Sequence, residues 1–224
     1  MLRKKRKYQL KLTQYLLKIN QYYKILPLLD ISFINTNHIN MSIINKKRVY
    51  KVKVGNPIGN LYRKNHVLIL VKTSDGKYIL GKKAGFYPDH IARFIGGGVD
   101  LGELPIDGAV RELKEELKVS KDKTEIKHLI ELVTEADTNE GVKIMTTNIY
   151  LCQLLVGEKY SANDDVSSLV IIDFNEFLNL IIEMGKLDTE YTCDKFSFKW
   201  SDWAKVYMPI HKLALELESG LKIN

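Results

Sequence analysis

Residues 105–117, Pro-Ile-Asp-Gly-Ala-Val-Arg-Glu-Leu-Lys-Glu-Glu-Leu, constrain the fold more than any other stretch of the chain. On a helix with Ile106 set at 0°, Val110, Leu113 and Leu117 fall at about 40°, 340° and 20°. So narrow an apolar stripe has to face a core. Glu112, Glu115 and Glu116 fall at about 240°, 180° and 280°, on the far side of that helix. Their i, i+3, i+4 spacing brings the three carboxylates together. Like charges so placed repel, and clustering them costs stability unless a cation neutralises them. Hard divalent cations such as Mg²⁺ or Mn²⁺ take oxygen ligands of this kind. Pro105 suits the first helical position. Gly108 and Ala109 lie on the carboxylate side, where small side chains let another backbone approach. The nearby Gly96-Gly97-Gly98 loop is the candidate, with carbonyls for a metal and amides for phosphate oxygens. Taken alone, three glutamates on a helix also describe a solvated acidic face.

The rest of the chain reads as strands mixed with a few helices. Val67–Val71 is a buried strand, Thr73–Lys77 a turn built on Asp75-Gly76, and Tyr78–Leu80 the returning strand. Residues 81–103 form a Gly-rich connection. Lys127–Thr134 and Lys143–Val156 read as strands around the polar turn Asp137–Gly141. Ser168–Ile172 is a further strand, Phe174–Met184 a helix, and Trp200–Glu218 a last helix. Without a regular strand–helix–strand rhythm, the pattern predicts an α+β sandwich.

The 224 residues are 45% hydrophobic and 27% charged, which excludes wholesale disorder. Two cysteines, Cys152 and Cys193, are too few for a disulfide scaffold and lack metal-ligand spacing. They read as reduced thiols of a cytoplasmic protein. The longest apolar run, Val67–Val71, is far short of the ~18 residues that span a membrane. The net charge of +7 is unevenly spread. Residues 1–40 hold eight basic residues and one acid, Asp30, whereas residues 41–224 hold 26 of each sign. The basicity therefore belongs to an N-terminal arm, residues 1–40, and the domain to residues 41–224. In the arm, Leu12, Leu16, Ile19, Tyr23 and Leu26 recur at helical spacing beside Lys4, Lys7, Lys11 and Lys18. This suits weak contact with an anionic membrane or nucleic acid, packing on a second subunit in a homodimer, or a solvated leader upstream of a start at Met41.

The segment Gly97-x5-Glu103-x7-Arg111-Glu112-Leu113-x-Glu115-Glu116-x-Lys118-Val119 resembles the Nudix box, G-x5-E-x7-R-E-U-x-E-E-x-G-U, where U is a bulky aliphatic residue. Lys118 stands where the family has glycine, at the helix end rather than among the ligands. Ile95 stands where many members have proline. The resemblance implies a Nudix-type α/β/α sandwich with a mixed sheet and a catalytic helix at about 105–117. It implies a metal-dependent pyrophosphohydrolase acting on a nucleoside diphosphate linked to another moiety. The products are typically a nucleoside monophosphate and the phosphorylated moiety. By the same resemblance, Glu112, Glu115 and Glu116, with the Gly96 carbonyl, bind Mg²⁺ or Mn²⁺. Glu112, Glu115 or a distal acid helps deprotonate water, and Arg111 and Glu103 form a supporting ion pair. Arg111, at about 140°, is expected to point away from the metal face.

Asp164 and Asp165, before the Ser168–Ile172 strand, suit the place of the family's distal acid, with Glu158 second; each also suits a polar surface loop. On the substrate side, Lys82, Lys83 and Arg93, with Gly97 and Gly98, are expected to meet the phosphates. Phe86, Tyr87 or Phe94 either stacks on a base or belongs to the core. The positions that mark ADP-ribose and dinucleoside polyphosphate subfamilies hold Thr134 and Glu135–Asp137, so neither is supported. Two other readings remain: a non-catalytic Nudix-fold nucleotide sensor, which loss of box carboxylates would favour, and a prenyl diphosphate isomerase, for which no cysteine precedes the box.

Overall fold

The structure is a computed structural model that describes residues 47–55, 63–83, 88–188, 192–193 and 198–223. The N-terminal arm, Phe86 and Tyr87 lie outside the described residues. A six-stranded mixed sheet forms the centre. Its strands are β1 (Lys47–Lys53), β2 (Asn65–Lys72), β3 (Tyr78–Lys82), β4 (Thr124–Thr138), β5 (Gly141–Leu154) and β6 (Ser168–Ile172), in the order β1-β4-β5-β2-β3-β6. The helices are α1 (Pro105–Leu117), α2 (Phe174–Gly185) and α3 (Trp200–Ser219). A short pair, β7 (Thr192–Cys193) and β8 (Phe198–Lys199), precedes α3. The arrangement is the expected mixed-sheet sandwich.

The apolar run of β2 is buried on both faces because successive strand residues point to opposite sides. Val67, Ile69 and Val71 join Leu113 and Leu117 of α1, together with Ile79, Ile95 and Val119. Leu68 and Leu70 join Phe177 and Ile181 of α2 and Trp203 and Ile210 of α3. Burying a leucine such as Leu113 or Leu117 contributes about 2 kcal/mol. Those two residues fix which side of α1 faces the sheet.

The sheet forks at β2, and the fork delivers the glycine loop. The second half of β2 pairs with β3 through Val71 opposite Ile79 and Lys72 opposite Tyr78. Its first half instead meets the connection, with Ile69 opposite Ile95 and His66 opposite Gly98. Arg93 exchanges two backbone hydrogen bonds with Gly81 of β3, at 2.8 and 3.0 Å. Residues 93–98 are thus clamped between two strands.

The Lys118 departure from the box leaves helix termination intact. Lys118 takes the left-handed conformation, φ 59°. Its N–H donates to the Lys114 carbonyl at 3.1 Å, and Val119 N–H donates to the Leu113 carbonyl at 3.2 Å. This is the paired closure that glycine usually makes. A lysine pays a steric penalty there that glycine avoids. Lys118→Gly is therefore expected to stabilise the chain by about 0.5–1 kcal/mol, read from the midpoint of urea unfolding. An unchanged or lowered midpoint would count against strain at this position.

Candidate active site

The far side of α1 is only partly solvated, with Glu115 exposed and its two companions covered. Glu112 and Glu116 are 7% and 2% exposed, because the Gly96–Gly98 loop lies across them. A Cβ on Gly97 would stand 2.5 Å from Glu112 Oε1. Gly97, more than Gly108, provides the close approach; the site of a Cβ on Gly108 faces the Glu103 side chain at 3.0 Å. Glu116 Oε2 accepts the Gly96 N–H at 2.7 Å, which ties helix to loop.

Two arginines neutralise this face, and the first corrects an expectation. Arg111 does not point away from the carboxylates. It donates to both Glu103 oxygens at 3.0 Å, to Glu112 Oε1 and Glu115 Oε2 at 2.9 Å, and to the Gly98 carbonyl at 2.8 Å. The wheel angle locates its Cβ, but a long, planar side chain with five donors reaches past that direction. The Arg111–Glu103 pair that the box implies is present and bidentate. Arg111 holds the Glu103 carboxyl below the usual carboxylate range. Burial, then the neighbouring Glu116 charge, push Glu112 above that range, and Arg111 offsets part of the rise.

The second arginine is Arg93. It donates to the Gly96 carbonyl at 2.5 Å, to the Phe94 carbonyl at 3.1 Å and to Glu116 Oε1 at 2.8 Å. Asp165 lies 3.8 Å from the same guanidinium and also pairs with Lys83. Burial, ahead of the Arg93 charge, lowers the Lys83 ammonium to about 8. The structure thus brings Lys83, Arg93 and Asp165 to the box. Lys82 donates instead to the Asp89 carbonyl. Asp164 is exposed with φ 53°, and Glu158 lies in the turn closed by its N–H on the Leu155 carbonyl. Phe94 is fully buried and stacks on His211, so its core alternative holds.

Sequence reasoning missed three contributors. Asn163 donates its side-chain amide to the Glu115 carbonyl at 2.7 Å and its N–H to the Glu116 carbonyl at 3.0 Å. It satisfies carbonyls that the last helical turn leaves open and sets Asp165 two residues on. Arg63 lies against Gly98, where a Cβ would meet its Nη1 at 2.6 Å. The basic pair Arg63-Lys64 just before β2 was the available signal. His211 of α3 accepts the Phe94 N–H through Nε2 at 3.3 Å, with Nδ1 at 2.8 Å from the Tyr207 carbonyl.

Those two bonds need a neutral imidazole, and burial holds His211 down to about 4. An unfolded histidine titrates near 6.5, so the unfolded chain takes up the proton first. Stability is complete above about pH 6.5 and falls as the pH drops toward 4. At pH 5 the expected loss from His211 is about 2 kcal/mol. Urea unfolding at pH 7 and pH 5 checks this: His211→Asn should shrink the difference by about that amount. His66, also buried and lowered to about 4, retains its own share.

All the oxygens gathered here, from Glu112, Glu115, Glu116 and the Gly96 carbonyl, suit a hard divalent cation. The missing Cβ at Gly97 lets the Glu112 carboxylate lie directly against the loop. Among the described residues, no three His, Cys, Asp or Glu side chains stand together as a ready metal cluster. The carboxylates turn to arginines instead, so the donors fit a metal while their present partners are guanidinium groups.

A glycine loop over a carboxylate helix, braced by a bidentate arginine, defines a hydrolase of the Nudix type. The model of the NUDIX domain matches residues 62–188, more than half of the chain, and the chain belongs to that family. No curated protein matches the chain by sequence. Among solved structures, a C. elegans Ap4A hydrolase in a binary complex is 19% identical, with TM-score 0.46, over 70% of this chain and 95% of that one. The E. coli dihydroneopterin triphosphate pyrophosphohydrolase is 14% identical, with TM-score 0.45, over 69% and 93%. The NUDIX domain of Shewanella oneidensis NrtR, complexed with ADP ribose, is 15% identical, with TM-score 0.45, over 69% and 87%. No helix of the described residues is long and apolar enough to cross a membrane.

Proposed function

We propose that the chain is a Mg²⁺- or Mn²⁺-dependent hydrolase that cleaves the pyrophosphate bond of a nucleoside diphosphate linked to another moiety. The observation that carries this reading is the packing of the box on the glycine loop, with Glu116 on the Gly96 N–H, Glu112 against Gly97, Glu115 joined to Glu112 through Arg111, and Lys83 and Arg93 at its edge. Glu112, Glu115, Glu116 and the Gly96 carbonyl would hold the metal. When bound, the metal supplies charge neutralisation and a water of lowered pKa. The base is Glu112, Glu115 or the distal acid Asp165. Lys83 and Arg93 hold phosphate oxygens, Lys82 and the Gly97 and Gly98 backbone border the same path, and Arg111 and Glu103 keep the helix and loop in register. Intact box carboxylates favour catalysis over a purely sensing role.

The test is a panel of nucleoside diphosphate derivatives with Mg²⁺ or Mn²⁺, with the phosphate products read by mass. A nucleoside monophosphate plus the phosphorylated moiety supports the reading. Absence of turnover across the panel overturns it.

In the same reading, residues 1–40 are a separate basic arm and the protein is cytoplasmic. A chain beginning at Met41 is expected to keep its fold and its kcat/KM within about twofold, and to lose retention on anionic vesicles or nucleic acid. Loss of folding on truncation would place the arm inside the domain.

A further inference from the structure

The metal site described above already has a tenant. Arg93 reaches two of the proposed metal donors, the Gly96 carbonyl and Glu116 Oε1. The other oxygen of Glu116 accepts the Gly96 N–H. A divalent cation at those two donors would sit against the like charge of the guanidinium, so the two compete for them. With Arg111 on Glu112 and Glu115, Arg93 completes a set of two positive charges against three carboxylates. Without it, Glu116 would be a buried carboxylate lacking a cation, the costly arrangement.

Arg93 is also built to leave. Its backbone is held to Gly81 through both N–H and carbonyl, so the side chain can move while the backbone stays in place. Asp165, paired with Lys83, lies 3.8 Å from the guanidinium on a half-exposed side chain. A planar guanidinium suits phosphate oxygens as well as it suits a carboxylate.

We propose that Arg93 is an exchangeable counter-ion: its guanidinium closes the site in the metal-free chain, surrenders Glu116 and the Gly96 carbonyl to the divalent cation, and turns toward Asp165 and the substrate pyrophosphate. The proposal rests on the metal-dependent reading above and deepens it, because one side chain then links metal loading to substrate capture. The exchange has two signs. Arg93 stabilises the metal-free fold and weakens metal binding, since the metal must displace it.

The test measures Mn²⁺ alone against the full chain, by calorimetry, for the wild type and Arg93→Met. The variant is expected to melt at a lower temperature without metal and yet to bind Mn²⁺ about tenfold more tightly, the ratio set by losing one charge-assisted contact that competes with the metal. An arginine with only a structural role would lower the melting temperature without tightening Mn²⁺. Arg93→Lys, which keeps the charge and loses the fork, is expected to lie between the two. A second measurement needs no variant to fold well. In the metal-free wild type, the Arg93 Nη hydrogens should show the slow rotation of a doubly held guanidinium by nuclear magnetic resonance, and saturating Mg²⁺ should abolish it. If the wild type binds Mn²⁺ but Arg93→Met binds no more tightly and the Arg93 signals ignore Mg²⁺, the exchange is overturned while the metal-dependent reading stands. If the wild type binds no divalent cation at all, both fall.

Discussion

If Glu116 holds the proposed metal, Glu116→Gln is expected to lower kcat about a thousandfold at saturating Mg²⁺, because the cation it positions supplies several kcal/mol of charge stabilisation at the reacting phosphoryl group. The substitution also acts on the fold. Glu116 accepts from two donors, Arg93 and the Gly96 N–H, one on each oxygen. Glutamine has one acceptor and one donor in their place. One of those contacts becomes donor against donor in a side chain only 2% exposed. The expected cost is about 1–3 kcal/mol. Thermal melting beside steady-state kinetics separates the two effects, since the loss of rate should persist well below the melting temperature. Wild-type turnover in the variant would remove Glu116 from the metal site.

Gly96→Ala is expected to be the most damaging small substitution in the loop. Gly96 has φ +132°, and a Cβ there would lie 2.3 Å from the Val67 carbonyl oxygen, a backbone atom of the clamped central strand. Neither partner can yield cheaply. Moving Gly96 breaks its N–H bond to Glu116, and moving Val67 breaks its N–H bond to the Gly97 carbonyl. We expect destabilisation of about 3 kcal/mol or more, from backbone strain plus overpacking. Activity should fall at least about a hundredfold in whatever fraction folds, because an ångström of displacement at a reacting centre costs that much. Gly102→Ala is the control in the same connection: it shares a positive φ, +82°, but nothing lies within 4 Å of its Cβ position. Only the conformational strain should then remain.

How much of this was legible in the sequence follows from which forces are local. The bounds of α1 were legible because Pro105 opens it and the apolar stripe ends at Leu117. The β2–β3 hairpin was legible through Asp75-Gly76 and the aliphatic run. β1 was not: Lys47–Lys53 mixes basic residues with Val49, Tyr50 and Val52, and what holds it is distant in sequence, a parallel partner in β4 beginning with Lys47 opposite Glu131 and the Tyr50 hydroxyl on the Lys205 carbonyl. β4 runs past Thr134 to Thr138, because pairing with β5 continues where the hydrophobic pattern fades. At the site, the box supplied the residue types and left their contacts unspecified. The wheel put Glu116 opposite the core stripe, and nothing local reveals that a loop twenty residues upstream covers it. Arg93 reads as one cation among several until the fold sets it against Glu116, 23 residues away.

The hydrogen bond from the Phe94 N–H to His211 joins residues 117 positions apart. During synthesis, the segment that leads into Gly96 emerges long before α3 does. Chains are made from the N-terminus at about 5–20 residues per second, so several seconds separate the two. In that interval the glutamates of α1 can be formed on a helix while the strand leading to the loop lacks its last anchor. A ribosome-bound chain stopped before residue 200 should therefore carry the complete box and the clamp from β2 and β3 while lacking the His211 contact to Phe94. The loop that covers the glutamates is thus tied to a helix far beyond the box, and the setting of the motif depends on residues outside it.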